Sequence, residues 1–189
     1  MAKNFEPSLI NSILTGFVED LLANKGNLAV FKPTEIAGKP VNEYEGRMLI
    51  KGSDKFDVAV FIAATSFYLN QANLQAHKAI GAMLVYMDTE VADKLFKAAG
   101  LQVPYDEDDE SMMDLCSKLS VLITDNFKER LSAAGYASLV ASTPAVYKNS
   151  ISEGVEFSKD QDEKQEVSFF YLKHKALVVE WTLAPVPKK

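Results

Sequence analysis

The chain has one cysteine, Cys116, so no intrachain disulfide can form. Its two histidines, His77 and His174, stand alone, with no second His, Cys or carboxylate at metal-ligand spacing, and neither reads as a metal ligand. There is no glycine-rich phosphate loop, nucleophile elbow or paired-cysteine motif, so the usual signatures of a stand-alone nucleotide-binding or hydrolytic enzyme are missing. Clustered lysines and arginines are missing as well. Basic residues are interspersed with acids and the formal charge is -6, which argues against nucleic acid as a partner. No run approaches the roughly 20 apolar residues of a membrane span. Asn11, Ser12, Thr15 and Gly16 interrupt the uninterrupted apolar core that a signal peptide would need. The expectation is a cytoplasmic protein that binds neither nucleic acid nor membrane.

What is present is enough apolar material for a core: 48% of 189 residues are hydrophobic, and no shift in composition divides them, so residues 1–189 read as one domain. Ser8 is positioned to cap a first helix running to about Asn24, with Leu9, Ile10, Ile13, Leu14, Phe17 and Leu21 at helical spacing. Leu28 to Phe31 is a short strand candidate, and Pro33, Gly38 and Pro40 mark an irregular segment after it. Tyr44 to Lys51 and Lys55 to Ala64 read as a hairpin closed by Gly52-Ser53-Asp54. Phe67 to His77 has no clear period and reads as helix or ordered loop. Ile80 to Met87 reads as a strand, and Asp88 as the cap of a helix over Thr89 to Ala99.

The acidic run in Tyr105 to Ser111 reads as a solvated loop that ends near a helix N-terminus. After Gly135 the chain is β-rich, with strands expected at Leu139 to Lys148, Gly154 to Phe157, Val167 to Lys173 and Lys175 to Leu183. In the last of these, Leu177, Val179, Trp181 and Leu183 alternate with Ala176, Val178, Glu180 and Thr182, and the first set should face the helices. This order of elements predicts an α+β fold, with helices packed on a largely antiparallel β-sheet and one long central helix.

That long helix covers Lys118 to Tyr136 and is the most informative element. Residues three, four and seven apart share a helix face, so Asp114, Lys118, Val121, Asp125, Lys128 and Ser132 form one stripe, polar except for the valine. Met112, Leu115, Leu119, Leu122, Ile123, Phe127 and Leu131 form the opposite, apolar face. Cys116 falls on or beside that face, where a small thiol is packing more often than chemistry. Gly135 supplies the left-handed residue that ends a helix.

Four segments in this order resemble a known family: INSIL in the opening helix, the strand-and-helix pair GAMLVYMDTEVADKL, the helix end NFKERLSAAGY, and STPAVY after it. Together they make the chain similar to the CheC/CheX/FliY family of bacterial chemotaxis phosphatases, and most to its shorter CheX branch. The resemblance covers roughly residues 8 to 183, with what reads as an insertion over 55–78.

The resemblance implies a CheX-like fold, a homodimer, and a partner in the CheY-like receiver domain of a response regulator, whose phosphoryl group family members remove. It also implies that the reaction depends on a Glu and an Asn three residues apart on the long helix. The amide orients the attacking water and the carboxylate engages a receiver lysine. The aspartyl phosphate and its magnesium belong to the receiver, so no cofactor is expected in this chain.

With Asn126, Leu131, Gly135 and Tyr136 aligned to the family's Asn, Leu and Gly-Tyr, the family's Glu falls at Lys118 and its Asn at Val121. A glycine of the family falls at Asp125. Lysine would repel a receiver lysine, and valine has no amide to hold water. A register shifted by one turn places Asp114 and Ser117 at the catalytic positions instead, but it requires an insertion within the helix. The expectation is a non-catalytic homologue that binds a receiver through Asp114, Lys118, Val121, Asp125 and Lys128. The alternatives are an active phosphatase using Asp114 and Ser117, and an adaptor outside chemotaxis.

Overall fold

The computed structural model describes residues 5–25, 30–106 and 108–189. Among these, seven strands form one antiparallel sheet. Strand β1 (Val30–Pro40) is at one edge, followed by β9 (Glu163–Tyr171), β10 (His174–Leu183), β5 (Gly81–Asp88) and β4 (Val60–Tyr68). The far side of β4 is shared by β6 (Val140–Ala141) and β7 (Ala145–Lys148). A second sheet joins β2 (Glu43–Tyr44), β3 (Arg47–Lys51) and β8 (Ser150–Val155). The helices are α1 (Pro7–Glu19), α2 (Gln71–Gln75), α3 (Ala92–Ala98) and α4 (Asp109–Ala133). The fold is α+β, with antiparallel sheets and a long α4, as the order of elements predicts.

The large sheet is covered on both faces. Helices α1, α3 and α4 pack on one side, against Phe61, Ala63, Phe67, Met83, Val85, Val167, Leu177, Val179, Trp181 and Leu183. The alternation read in the last strand therefore has the expected direction. The small sheet covers the other side, where Met48, Ile50, Ile151 and Val155 meet Val60, Ile62, Leu84, Tyr86 and Val178. Every residue of β4 and β5 is buried for this reason, and both strands read as continuous apolar runs instead of alternating ones.

Several local expectations are corrected. The expected hairpin across Gly52-Ser53-Asp54 does not form: β3 pairs with β2 and β8, while β4 lies in the other sheet. Gly52 to Asp54 is a tight helical turn that carries the chain between them, with Gly52 against Val60. The segment expected to be irregular around Pro33, Gly38 and Pro40 is β1. An edge strand tolerates proline because only one of its sides is paired, and the register on β9 slips between Phe31 and Glu35, across Pro33. Of the Leu28 to Phe31 candidate, residues 28 and 29 lie outside the described residues. Ser8 does not cap α1, which starts with Pro7 in the first turn and continues past Glu19 as a wider π-type turn to Lys25. Phe67 to His77 divides into the end of β4 and the short α2. The helix expected from Thr89 starts only at Ala92, because the Asp88 carboxylate accepts from the Glu90 N–H at 2.8 Å and holds a turn there.

Covering both faces places charges inside. Lys55 and Lys164 meet Glu166 and Glu180 on the small-sheet side of β9 and β10. The Lys55 ammonium pairs with Glu166, and with Glu180 Oε2 at 2.5 Å; Lys164 reaches Glu180 Oε1 at 3.1 Å, and Lys39 reaches Glu166 at 2.8 Å. The Tyr86 hydroxyl donates to Glu180 Oε1 at 3.1 Å, and burial and that carboxylate raise its pKa well above the usual phenol value. Burial opposes the Lys55 ammonium, but Glu180 and Glu166 outweigh it and hold Lys55 above the usual lysine value. Burial likewise opposes the Glu166 carboxylate, but Lys39 and Lys55 outweigh it and hold Glu166 below its usual value.

Removing one partner from such a cluster leaves a buried charge unpaired, so Lys55→Met should lower unfolding free energy by about 3–5 kcal/mol in urea titration. A depressed carboxyl stabilises the fold above its unfolded pKa of about 4.3, and that stability is lost as pH falls through the lower folded value. The raised ammonium stabilises below the unfolded lysine pKa of about 10.4 and is lost as pH rises through the folded value. Urea midpoints across pH should therefore form a plateau that falls at both ends, with both slopes flatter in Lys55→Met.

Candidate functional site: the outer face of helix α4

Helix α4 spans Asp109–Ala133, so it begins nine residues before the expected start at Lys118 and ends three residues before Tyr136. Asp108 is its N-cap, accepting from the Ser111 N–H at 2.9 Å, so part of the acidic run caps the helix and part lies in its first turn. Ala134 closes the last turn, and Gly135 follows with φ +90°, the left-handed conformation expected of it. Arg130, in the last turn, lies over the Phe17 ring and ties α4 to α1.

The buried arc consists of Met112, Leu115, Cys116, Leu119, Ser120, Ile123, Thr124, Phe127 and Leu131. It is rotated from the expected apolar face. Ser120 and Thr124 turn inward, the Thr124 hydroxyl lying 4.0 Å from the Met83 sulfur, while Leu122 turns outward. The reason is angular. Cys116, Ser120, Ile123 and Phe127 follow the three-four spacing and define the centre of contact with the sheet, and Leu122 is a full 100° step from Ile123. Small neutral hydroxyls tolerate this burial better than charges would, although Ser120 Oγ is buried without a hydrogen-bond partner. Cys116 is fully buried, and burial pushes its thiol up, away from reactivity.

On the outer face, Val121 and Leu122 are each 39% exposed and adjacent. Ion pairs flank them. Lys118 reaches Asp114 at 2.6 Å, one turn back, and Lys128 reaches Asp125 at 2.8 Å, with the Lys128 side chain half-buried. Ser117 is half-buried beside Asp114. Lys118 and Val121 are thus exposed together, as a helix that reads a partner requires. Asp114 and Ser117 lie on the same side, but the Asp114 carboxylate is already occupied by Lys118. Leu122 was missed as a surface residue because hydrophobicity alone assigns it to the core.

No protein-family model matches the chain, and no curated protein sequence matches it. Its likeness is to solved structures. A CheC-like superfamily protein from Shewanella sp. PV-4 superposes with a TM-score of 0.58 at 16% identity, over 95% of this chain and 97% of that one. Chemotaxis protein CheX from Desulfovibrio desulfuricans does so with a TM-score of 0.56 at 16% identity, over 93% and 99%. FliY from Thermotoga maritima gives 0.56 at 13% identity, over 100% and 92%. The chain has the fold of the CheC, CheX and FliY proteins. At these identities the likeness is one of architecture, and the residues of α4 must be judged by their own chemistry.

That chemistry is limited. Exposed i,i+4 pairs contribute about 0.3–0.5 kcal/mol and are screened by salt, so Asp114→Ala should change thermal unfolding little, by no more than about 0.5 kcal/mol, with the difference vanishing in 1 M salt. A larger loss would show that Asp114 does more than steady the helix.

Proposed function

We propose that this chain is a CheX-like chemotaxis and signalling protein that binds a CheY-like receiver domain through the outer face of α4 without dephosphorylating it. The observation that carries the reading is the pair Val121 and Leu122, an apolar centre between the self-paired charges Asp114–Lys118 and Asp125–Lys128. Where the resemblance leads one to expect a carboxylate and an amide, this helix presents Lys118 and Val121. Val121 has no amide to hold a water in line with an aspartyl phosphate, and Lys118 would repel a receiver lysine instead of compensating it. An apolar centre with neutralised flanks is suited to contact, because burying Val121 and Leu122 requires no new charge to be desolvated without a partner. A homodimer belongs to the same reading, and light scattering of the purified chain tests it.

The decisive measurement pairs binding with turnover. Receiver domain phosphorylated in the presence of magnesium should bind the chain, and Val121→Asp should weaken that binding about ten-fold, the effect of placing a charge in a buried contact. Loss of phosphate from the receiver should be no faster with the chain than without it. Acceleration that disappears in Asp114→Ala or Ser117→Ala would replace this reading with that of an active phosphatase on the shifted pair. Absence of binding to any receiver, phosphorylated or not, would leave an adaptor outside chemotaxis.

If Lys118 and Val121 do occupy the catalytic positions, the double substitution Lys118→Glu with Val121→Asn should confer phosphate loss that the native chain lacks. Release of phosphate from phosphorylated receiver, compared between the two proteins, checks this directly.

A further inference from the structure

A concave site lies on the side of the large sheet away from α4, in the seam where the small sheet meets the edge of β4. Its cavity is about 260 Å³ and is lined by Arg47, Ser66, Tyr68, His77, Ser142, Thr143, Tyr147 and Glu156 among others. The seam exists because the edge is broken: β6 pairs with Phe67 and Tyr68 and β7 with Phe61 to Ala64, leaving a gap at Thr65 and Ser66. Ser142 spans that gap, its hydroxyl accepting from the Ser66 N–H at 3.0 Å.

The site is built around a carboxylate both of whose oxygens are engaged. Glu156 Oε2 accepts from the Tyr68 hydroxyl at 2.7 Å, and Oε1 lies 2.9 Å from His77 Nδ1 and 3.5 Å from Arg47 Nη1. Burial and Glu156 push the Tyr68 phenol up to about 12, so it remains a donor. Arg47 is pinned from behind, donating to the Glu153 carbonyl at 2.7 Å and the Gly154 carbonyl at 3.1 Å. Gly154 permits this approach: it has φ +69°, and a side chain there would meet Arg47 Cβ at 2.9 Å. His77 is held at φ +53°, an uncommon conformation for a residue other than glycine, and that conformation accompanies its contact with Glu156.

With the acceptors engaged, the capacity left toward the cavity belongs to donors. These are the remaining Arg47 N–H on Nη1, the Ser142 hydroxyl proton, the exposed Thr143 hydroxyl and His77 Nε2. Because Nδ1 faces the Glu156 carboxylate and carries a proton toward it, Nε2 is a donor in the doubly protonated ring. We propose that this seam is a binding site for a small oxyanion, a phosphate or carboxylate group, held by Arg47, His77, Ser142 and Thr143. Arg47 supplies its remaining Nη1 N–H, and the two hydroxyls and the doubly protonated His77 ring donate to the other oxygens.

The test is a titration of the isotope-labelled chain with inorganic phosphate and, separately, with acetate, at constant ionic strength, following amide resonances. At least one anion should give saturable shifts at Arg47, His77, Ser142 and Thr143, with Val121 on the opposite side unmoved. The anion that saturates first identifies a tetrahedral or a planar ligand. His77→Asn keeps a side chain that tolerates the left-handed backbone but cannot reach as far, and Thr143→Val removes an exposed hydroxyl. Each should weaken binding roughly five-fold, the effect of one hydrogen bond to a charged ligand. Absence of saturable shifts with both anions, shifts spread over surface lysines, or unchanged midpoints in both variants would overturn the assignment.

Discussion

Because the central sheet is covered on both faces, the charged side chains on its inner strands need partners inside the protein. Strands β9 and β10 meet this constraint with Lys164, Glu166 and Glu180, which lie in the layer shared with Val178 and Leu84. They cannot neutralise one another alone. Lys55, arriving from the turn that links the two sheets, and Lys39, on the edge strand β1, complete the set. The cluster therefore does more than satisfy charge: it fixes the path of the chain between β3 and β4, and with it the seat of the small sheet. Apolar residues in its place could be equally stable, so its contribution lies in determining which segments meet.

The opposite layer obeys a looser constraint, and the difference is visible on α4. A helix on a sheet needs one stripe of contact, and here the stripe runs through Cys116, Ser120, Ile123 and Phe127. Small hydroxyl residues in that stripe let the helix lie close to β4 and β5. The same rotation brings Leu122 beside Val121 at the surface. What looks in the sequence like one stray valine in a polar stripe is, in the folded chain, half of an apolar patch.

The parts legible in the sequence are those governed by neighbours along the chain. The period of two in β10, the extent of the apolar run in β5 and the stop at Gly135 depend on local pattern and were readable from it. The hairpin misreading has the opposite cause: β3 takes Val155 and Ile151 as partners for Met48 and Ile50, a pairing between distant segments that no turn signal announces. Lys55 with Glu166, and Arg47 and His77 with Glu156, are likewise distant pairs. Their members look like ordinary surface residues until the sheet brings them together. Strand β1 was hidden for a different reason, since proline and glycine argue against a strand only when both edges must be paired. On α4 the stripe of Asp114, Lys118, Val121, Asp125 and Lys128 was legible as a line, but its depth was not, because burial is set by the sheet beneath and not by the helix's own period.

Lys118 and Val121 lie outside the buried arc of α4. A side chain there is nearly neutral to the fold beyond its helix propensity and the weak pair with Asp114. At Ile123 or Phe127, identity is constrained by volume, and a change is answered by a cavity or a clash. At 118 and 121 packing makes no such demand. Glutamate with asparagine, or lysine with valine, would leave the same helix on the same sheet. The architecture shared with the CheC, CheX and FliY structures can therefore persist whatever these two positions carry.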